Sequence, residues 1–169
     1  MNSILSVHTV RFVALSLAQV LLLSHINFLG YVNPYLYILF VALYPVKNNR
    51  MLFIFLSFLL GLSIDMFMDS GGMHAAATLT IAYIRPAALK FSFGTVYDHQ
   101  SIKFDAMDIG QRMVYFSILT IIHHFILFSL DIFNFSKIIL VLKNTLFSSI
   151  FTIVLCVLIS IIFSRANKK

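Results

Sequence analysis

Two carboxylates stand where a membrane would make them costly. Asp65 and Asp69 lie in the stretch Phe58–Ala77, FLLGLSIDMFMDSGGMHAAA, which is otherwise mostly apolar or small. The diglycine Gly71–Gly72 follows them, and His74 opens the next apolar run. A charge at the centre of a spanning helix costs about 2.5–3.5 kcal/mol on the insertion scale. It is retained where protein or water gives it a partner. Two carboxylates one helical turn apart could share a proton, bind a cation or act as acid and base. They could equally serve structure, hydrogen-bonded to His74 or to the backbone of the glycine turn. Catalysis asks for further convergent groups, and none is visible. The structural use is therefore expected, with Asp65 the deeper residue and Asp69 capping the turn.

His123-His124 is the other constellation with chemical potential. Neighbours on a helix point about 100° apart, so the two cannot chelate one ion from one face. A haem would pair one of them with a histidine at matching depth, and His25 and His74 are expected nearer the outer surface. Hydrogen bonds between helices are the expected role. The sequence has no H-E-x-x-H, no phosphate-binding G-x-x-x-x-G-K-[ST] and no G-x-S-x-G element. No catalytic residue, metal or cofactor is assigned.

The composition sets the environment in which these groups must work. The 169 residues are 60% hydrophobic and 11% charged, with mean hydropathy +0.97. A water-soluble domain of this size needs more polar surface. The apolar runs are continuous and do not alternate, which excludes a β-barrel pattern. The expected class is all-α: a polytopic membrane protein, one domain over residues 1–169. Cys156 is the only cysteine, so no intramolecular disulfide forms. The net charge of +6 is scattered over segment ends. That suits lipid headgroups and topology and not nucleic acid. With no Trp, Tyr31, Tyr35, Tyr44 and Tyr115 are expected to supply the aromatic belt.

Six apolar runs must position the polar residues. The first, Val10–Leu29, is read as a retained anchor, with Gln19 and His25 hydrogen-bonding its neighbours. The second, Tyr35–Val46, is short for a span of about 20 residues and is expected as a thin, tilted or partly inserted helix with Pro34 in its first turn. On the third, Met51–Met68, the residues Ser57, Gly61, Asp65 and Asp69 recur every four positions, so they share one helix face. Small residues there admit a close neighbour. The fourth run, Met73–Leu89, is expected to break late at Arg85-Pro86. Residues 91–111 are read as a cytoplasmic loop on the membrane surface. Arg112–Phe133 and Ile138–Ser164 complete the bundle, joined by a turn at Asn134–Lys137.

Counting cations orients it. With six spans, one side receives Arg11, Lys47, Arg50, Arg85, Lys90, Lys103, Arg112, Arg165, Lys168 and Lys169, and the other only Lys137 and Lys143. The positive-inside rule then puts both termini in the cytoplasm. Dropping the short second run would destroy the bias, so it is kept as a span. Asp65, Asp69, His74, His25 and Asp131 then gather in the outer half.

Over residues 30–90 the chain resembles the rod shape-determining MreD family of bacteria. The resemblance rests on Asn33-Pro34, Tyr44-Pro45, the cationic turn Lys47–Arg50, the helix carrying Gly61-Leu62-Ser63-Ile64-Asp65, and Gly72-Met73-His74-Ala75. It implies a non-enzymatic protein of the inner membrane in the machinery that elongates the peptidoglycan wall. It also implies the partners: an MreC-like periplasmic scaffold, actin-like MreB and the wall-synthesis enzymes. The family is similar in fold to the substrate-binding components of energy-coupling-factor vitamin transporters, which implies an outward-facing cavity lined by the outer polar residues. The alternative function is such a vitamin-binding component. An intramembrane enzyme using Asp65 with Asp69 ranks last. Gly61, Asp65, Asp69, Gly72 and His74 are the candidate structural or partner-site residues.

Overall fold

The computed structural model describes residues 2–28, 32–46, 49–94 and 108–166. Among the described residues six α-helices follow one another: α1 (Asn2–Leu21), α2 (Ile38–Leu43), α3 (Arg50–Met68), α4 (Met73–Phe93), α5 (Ile109–Ile132) and α6 (Ile138–Ala166). Single 3-10 turns lie at Leu23–His25 and Phe135–Lys137. Among the described residues three stretches are long and apolar enough to cross a membrane: Arg50–Met68, Ile109–Ile132 and Phe135–Ile162. The all-helical, membrane-type class is as expected from composition. Many large apolar side chains face outward, Met51, Met66, Phe91 and Ile139 among them, as an acyl-chain solvent permits.

The helices α3, α4, α5 and α6 pack in chain order, each against the next, and α1 lies chiefly on α3. Local chemistry sets the ends. Asn49 caps α3, its Oδ1 accepting from the Met51 and Leu52 amides at 2.9 and 3.4 Å. Asp108 caps α5 through the Gly110 amide at 2.8 Å, and Asn134 accepts from Ser136 N in the expected turn before α6.

The second run departs from expectation. Only six of its residues are helical, and Pro34 precedes the helix instead of opening it. At 1.5 Å per residue, α2 is about 9 Å long, far short of a bilayer core of about 30 Å. Yet residues 34–44 travel alongside α1 in the opposite direction. The Pro34 carbonyl accepts from Gln19 Nε2 at 3.0 Å, Phe40 meets Phe12 edge-on, and Tyr44 lies against His8. Ile38 to Ala42 are at most 4% exposed. Unwound backbone at such depth persists only where protein satisfies it, and here protein does. Gln19 Oε1 accepts from Leu36 N at 2.9 Å, and Thr152 Oγ1 from Tyr35 N at 3.1 Å.

Three further expectations change. Helix α4 runs through Pro86 to Phe93 without breaking, because a proline removes one helical hydrogen bond and packed neighbours tolerate it. The expected 91–111 loop loses both ends to helices. Residues 91–93 finish α4 and 109–111 begin α5, while 95–107 lie outside the described residues. Tyr44 and Tyr115 are 4% and 0% exposed, so they belong to the core and not to an aromatic belt; Tyr31 lies outside the described residues.

Candidate functional site: a carboxylate lock between helices α3 and α4

Helix α3 presents Ser57, Gly61 and Asp65 to the bundle interior, all buried, as their four-residue spacing requires. Gly61 is where α4 comes closest. A Cβ there would stand 2.5 Å from both Ala75 Cα and the His74 carbonyl oxygen, and would also collide with Thr78 Oγ1. Backbone cannot yield as a flexible side chain can, so this contact admits glycine alone. Thr78 turns its hydroxyl inward on its own helix, donating to the His74 carbonyl at 2.6 Å.

One turn beyond, Asp65 ends one helix and begins the next. Its main-chain oxygen accepts from the Asp69 amide and, at 3.2 Å, from Ser70 N, closing α3. Its carboxylate opens α4. Oδ1 accepts from His74 N at 2.9 Å and from Ser70 Oγ at 2.6 Å, and Oδ2 accepts from Ala75 N at 2.8 Å. The residue at the usual capping position of α4 is Gly72, which has no side chain and takes φ +92. Asp65 therefore supplies the cap from the neighbouring helix. A negative carboxylate at a helix N-terminus also meets the positive end of the helix dipole. At 5% exposure the charge is sheltered, and three donors saturate it.

Asp69 does something else. It is the C-cap of α3, in the left-handed conformation at φ 51, and it is exposed. The helix ends before the four-residue repeat reaches it, so the two carboxylates do not converge as a pair. Asp69 terminates the helix, as expected of a turn cap, and Gly71 and Gly72, both at positive φ, complete the turn.

Behind the lock lies a polar cluster packed shut. The Tyr37 hydroxyl reaches His74 Nδ1 at 2.7 Å and His123 Nε2 at 2.8 Å. His74, at the start of α4, and His123, within α5, therefore meet on one hydroxyl. Tyr37, His123 and His124 are fully buried, and His74 is 6% exposed. His123 and His124 both bond to other segments of the bundle, as expected of hydrogen-bonding residues. His124 Nδ1 pairs with Ser149 Oγ of α6 at 3.0 Å, and the two imidazoles are 87° apart in plane. Tyr35 sits over His124 with centroids 5.0 Å apart. His25 and Asp131 are exposed and stand apart from this cluster. Tyr37, His74, His123 and His124 are thus packed on one another in the interior. Among the described residues no set of three histidine, cysteine, aspartate or glutamate side chains is placed to hold a metal ion.

A second polar junction lies elsewhere in the bundle, around Arg85. Arg85 of α4 is 3% exposed. Its Nε donates to Tyr115 Oη at 2.9 Å, and its Nη2 donates to the carbonyls of Ala42, at 3.1 Å, and Tyr44. Tyr115 donates in turn to the Ala42 carbonyl at 3.0 Å. Arg85 and Tyr115 so satisfy the C-terminal carbonyls of α2, and the guanidinium lies 5.0 Å from the Phe53 ring centroid. Arg85 is consequently no surface cation, and Arg112, 5% exposed, is not one either. Both leave the inner-side tally. Pairing with main-chain carbonyls leaves no residue pattern; a lone Arg-Pro within an apolar run was the one available signal.

The sequence matches no protein-family profile, no curated protein matches it, and no solved structure matches its fold.

Proposed function

We propose that the chain is a non-enzymatic, multi-pass component of the bacterial inner membrane that serves the cell-shape machinery, as the resemblance to the MreD family implies. In this reading both termini are cytoplasmic and the buried segment 32–46 counts as the second of six crossings. The cation bias survives without Arg85 and Arg112, which supports that orientation. The partners are an MreC-like scaffold, actin-like MreB and the enzymes of peptidoglycan synthesis.

One observation carries the reading. Asp65, the acid of the motif on which the resemblance rests, has its carboxylate oxygens taken up by His74 N, Ala75 N and Ser70 Oγ. A carboxylate so held is a positioning group for α3 and α4, and Asp69 is exposed at the turn. That favours a rigid surface for other proteins over proton or cation handling. The transporter-component alternative asks for convergent polar groups lining a pocket, whereas these groups are packed on one another.

Co-purification from native membranes tests the proposal. The chain should retain the membrane-anchored scaffold, and Asp65→Asn should keep part of that association. Retention of a vitamin-like small molecule without the scaffold would overturn it.

A further inference from the structure

A cavity of about 130 Å³ opens where α2 ends and α3 begins, with Pro45, Val46, Arg50, Phe53, Arg85 and Pro86 among its lining residues. Among the described residues it is lined by two arginines and by no acidic side chain. Arg85 meets only neutral groups, namely a phenol, two carbonyls and an aromatic face. Among the described residues its Nη1 has no hydrogen-bond partner. A buried cation without a counter-charge is costly, and the carbonyls at the end of α2 offset only part of that cost. The second arginine is exposed. Arg50 touches the Tyr83 carbonyl at 3.5 Å and lies over the Tyr83 ring at 5.6 Å, so its charge is held near the mouth and is not neutralised. Arg50 is also the first residue of α3, whose positive dipole end favours anions.

We propose that this cavity binds a phosphoryl group, with Nη1 of Arg85 donating from the floor and Arg50 closing on it from the rim. The guanidinium fork suits a tetrahedral oxyanion. The volume lies well under the about 300–1,000 Å³ of sites for drug-sized molecules, so one phosphoryl group enters and a nucleotide does not. The group can come from a lipid headgroup or from free phosphate.

The chain in maltoside micelles, which carry no phosphate, provides the test, with the unfolding midpoint as readout. Inorganic phosphate should raise the midpoint, and acetate at equal ionic strength should not. If phosphate is inert but mixed micelles containing phosphatidic acid raise the midpoint, the site is a headgroup site. Arg50→Gln should weaken the phosphoryl effect about fivefold in apparent affinity. Arg85→Lys, which keeps the charge and loses the fork, should weaken it further; if that variant does not fold, Arg50→Gln decides. The proposal falls if neither phosphate nor phosphatidic acid exceeds acetate, or if Arg50→Gln responds as the unaltered chain does.

Discussion

Asp65 and Arg85 solve opposite problems in the same bundle. Asp65 brings negative charge to the N-terminus of α4, where amides point outward. Arg85 brings positive charge to the C-terminus of α2, where carbonyls do. Each obeys the sign of the helix dipole, and each is buried. They differ in saturation. Three donors occupy the carboxylate, while the guanidinium keeps one nitrogen without a partner among the described residues. Helices α3 and α4, joined by a four-residue turn and a glycine contact, form a rigid hairpin. The junction of α2 holds a half-unwound segment by side chains that arrive from α1, α4, α5 and α6.

Substitutions can break this comparison. The largest loss is expected at Gly61. Gly61→Val must push α4 away through backbone contact, which should cost about 3 kcal/mol or prevent folding, read by unfolding in detergent or nanodiscs. Asp65→Ala should follow at about 3 kcal/mol, because it leaves two buried amides unpaired. Asp65→Asn retains one acceptor and should lose about half of that. Arg85→Met should cost about 2 kcal/mol by freeing the carbonyl of Tyr44 and leaving that of Ala42 to Tyr115 alone. Its signature should be faster amide exchange within 36–44, with α3 and α4 unaffected, which would set the two junctions apart. Tyr37→Phe removes the hydroxyl shared by His74 and His123 and should cost about 1 kcal/mol. Asp69→Gly relieves a left-handed residue at an exposed cap and should be neutral or stabilise by about 0.5 kcal/mol. A loss there as large as that of Asp65→Ala would restore the carboxylate pair that the geometry separates.

The first junction was legible because it is written in side chains. Glycine and aspartate at four-residue spacing name a helix face, and a diglycine names the turn. Even so, the period carried Asp69 onto that face, because periodicity does not say where a helix stops. The second junction was hidden. Ala42 and Tyr44 contribute only carbonyls, and Arg85 reads as an ordinary segment-end cation in a charge count. The shortness of Tyr35–Val46 was visible, but its unwinding depends on Gln19 and Thr152 meeting its backbone from distant parts of the chain. The meeting of His74 with His123 was hidden for a similar reason. Only tertiary packing brings Tyr37 between them. The junction of α4 with the 95–107 stretch was misread because Pro86 suggests a helix end, whereas α4 runs on to a Gly94 cap.

Amide hydrogen exchange at His74 and Ala75, in nanodiscs, tests the Asp65 lock most directly. Both amides should be strongly protected in the unaltered chain. In Asp65→Ala their exchange should rise about 100-fold, while the amides of α5 keep their rates. Unchanged protection at His74 and Ala75 in that variant would mean that something other than the Asp65 carboxylate holds the start of α4.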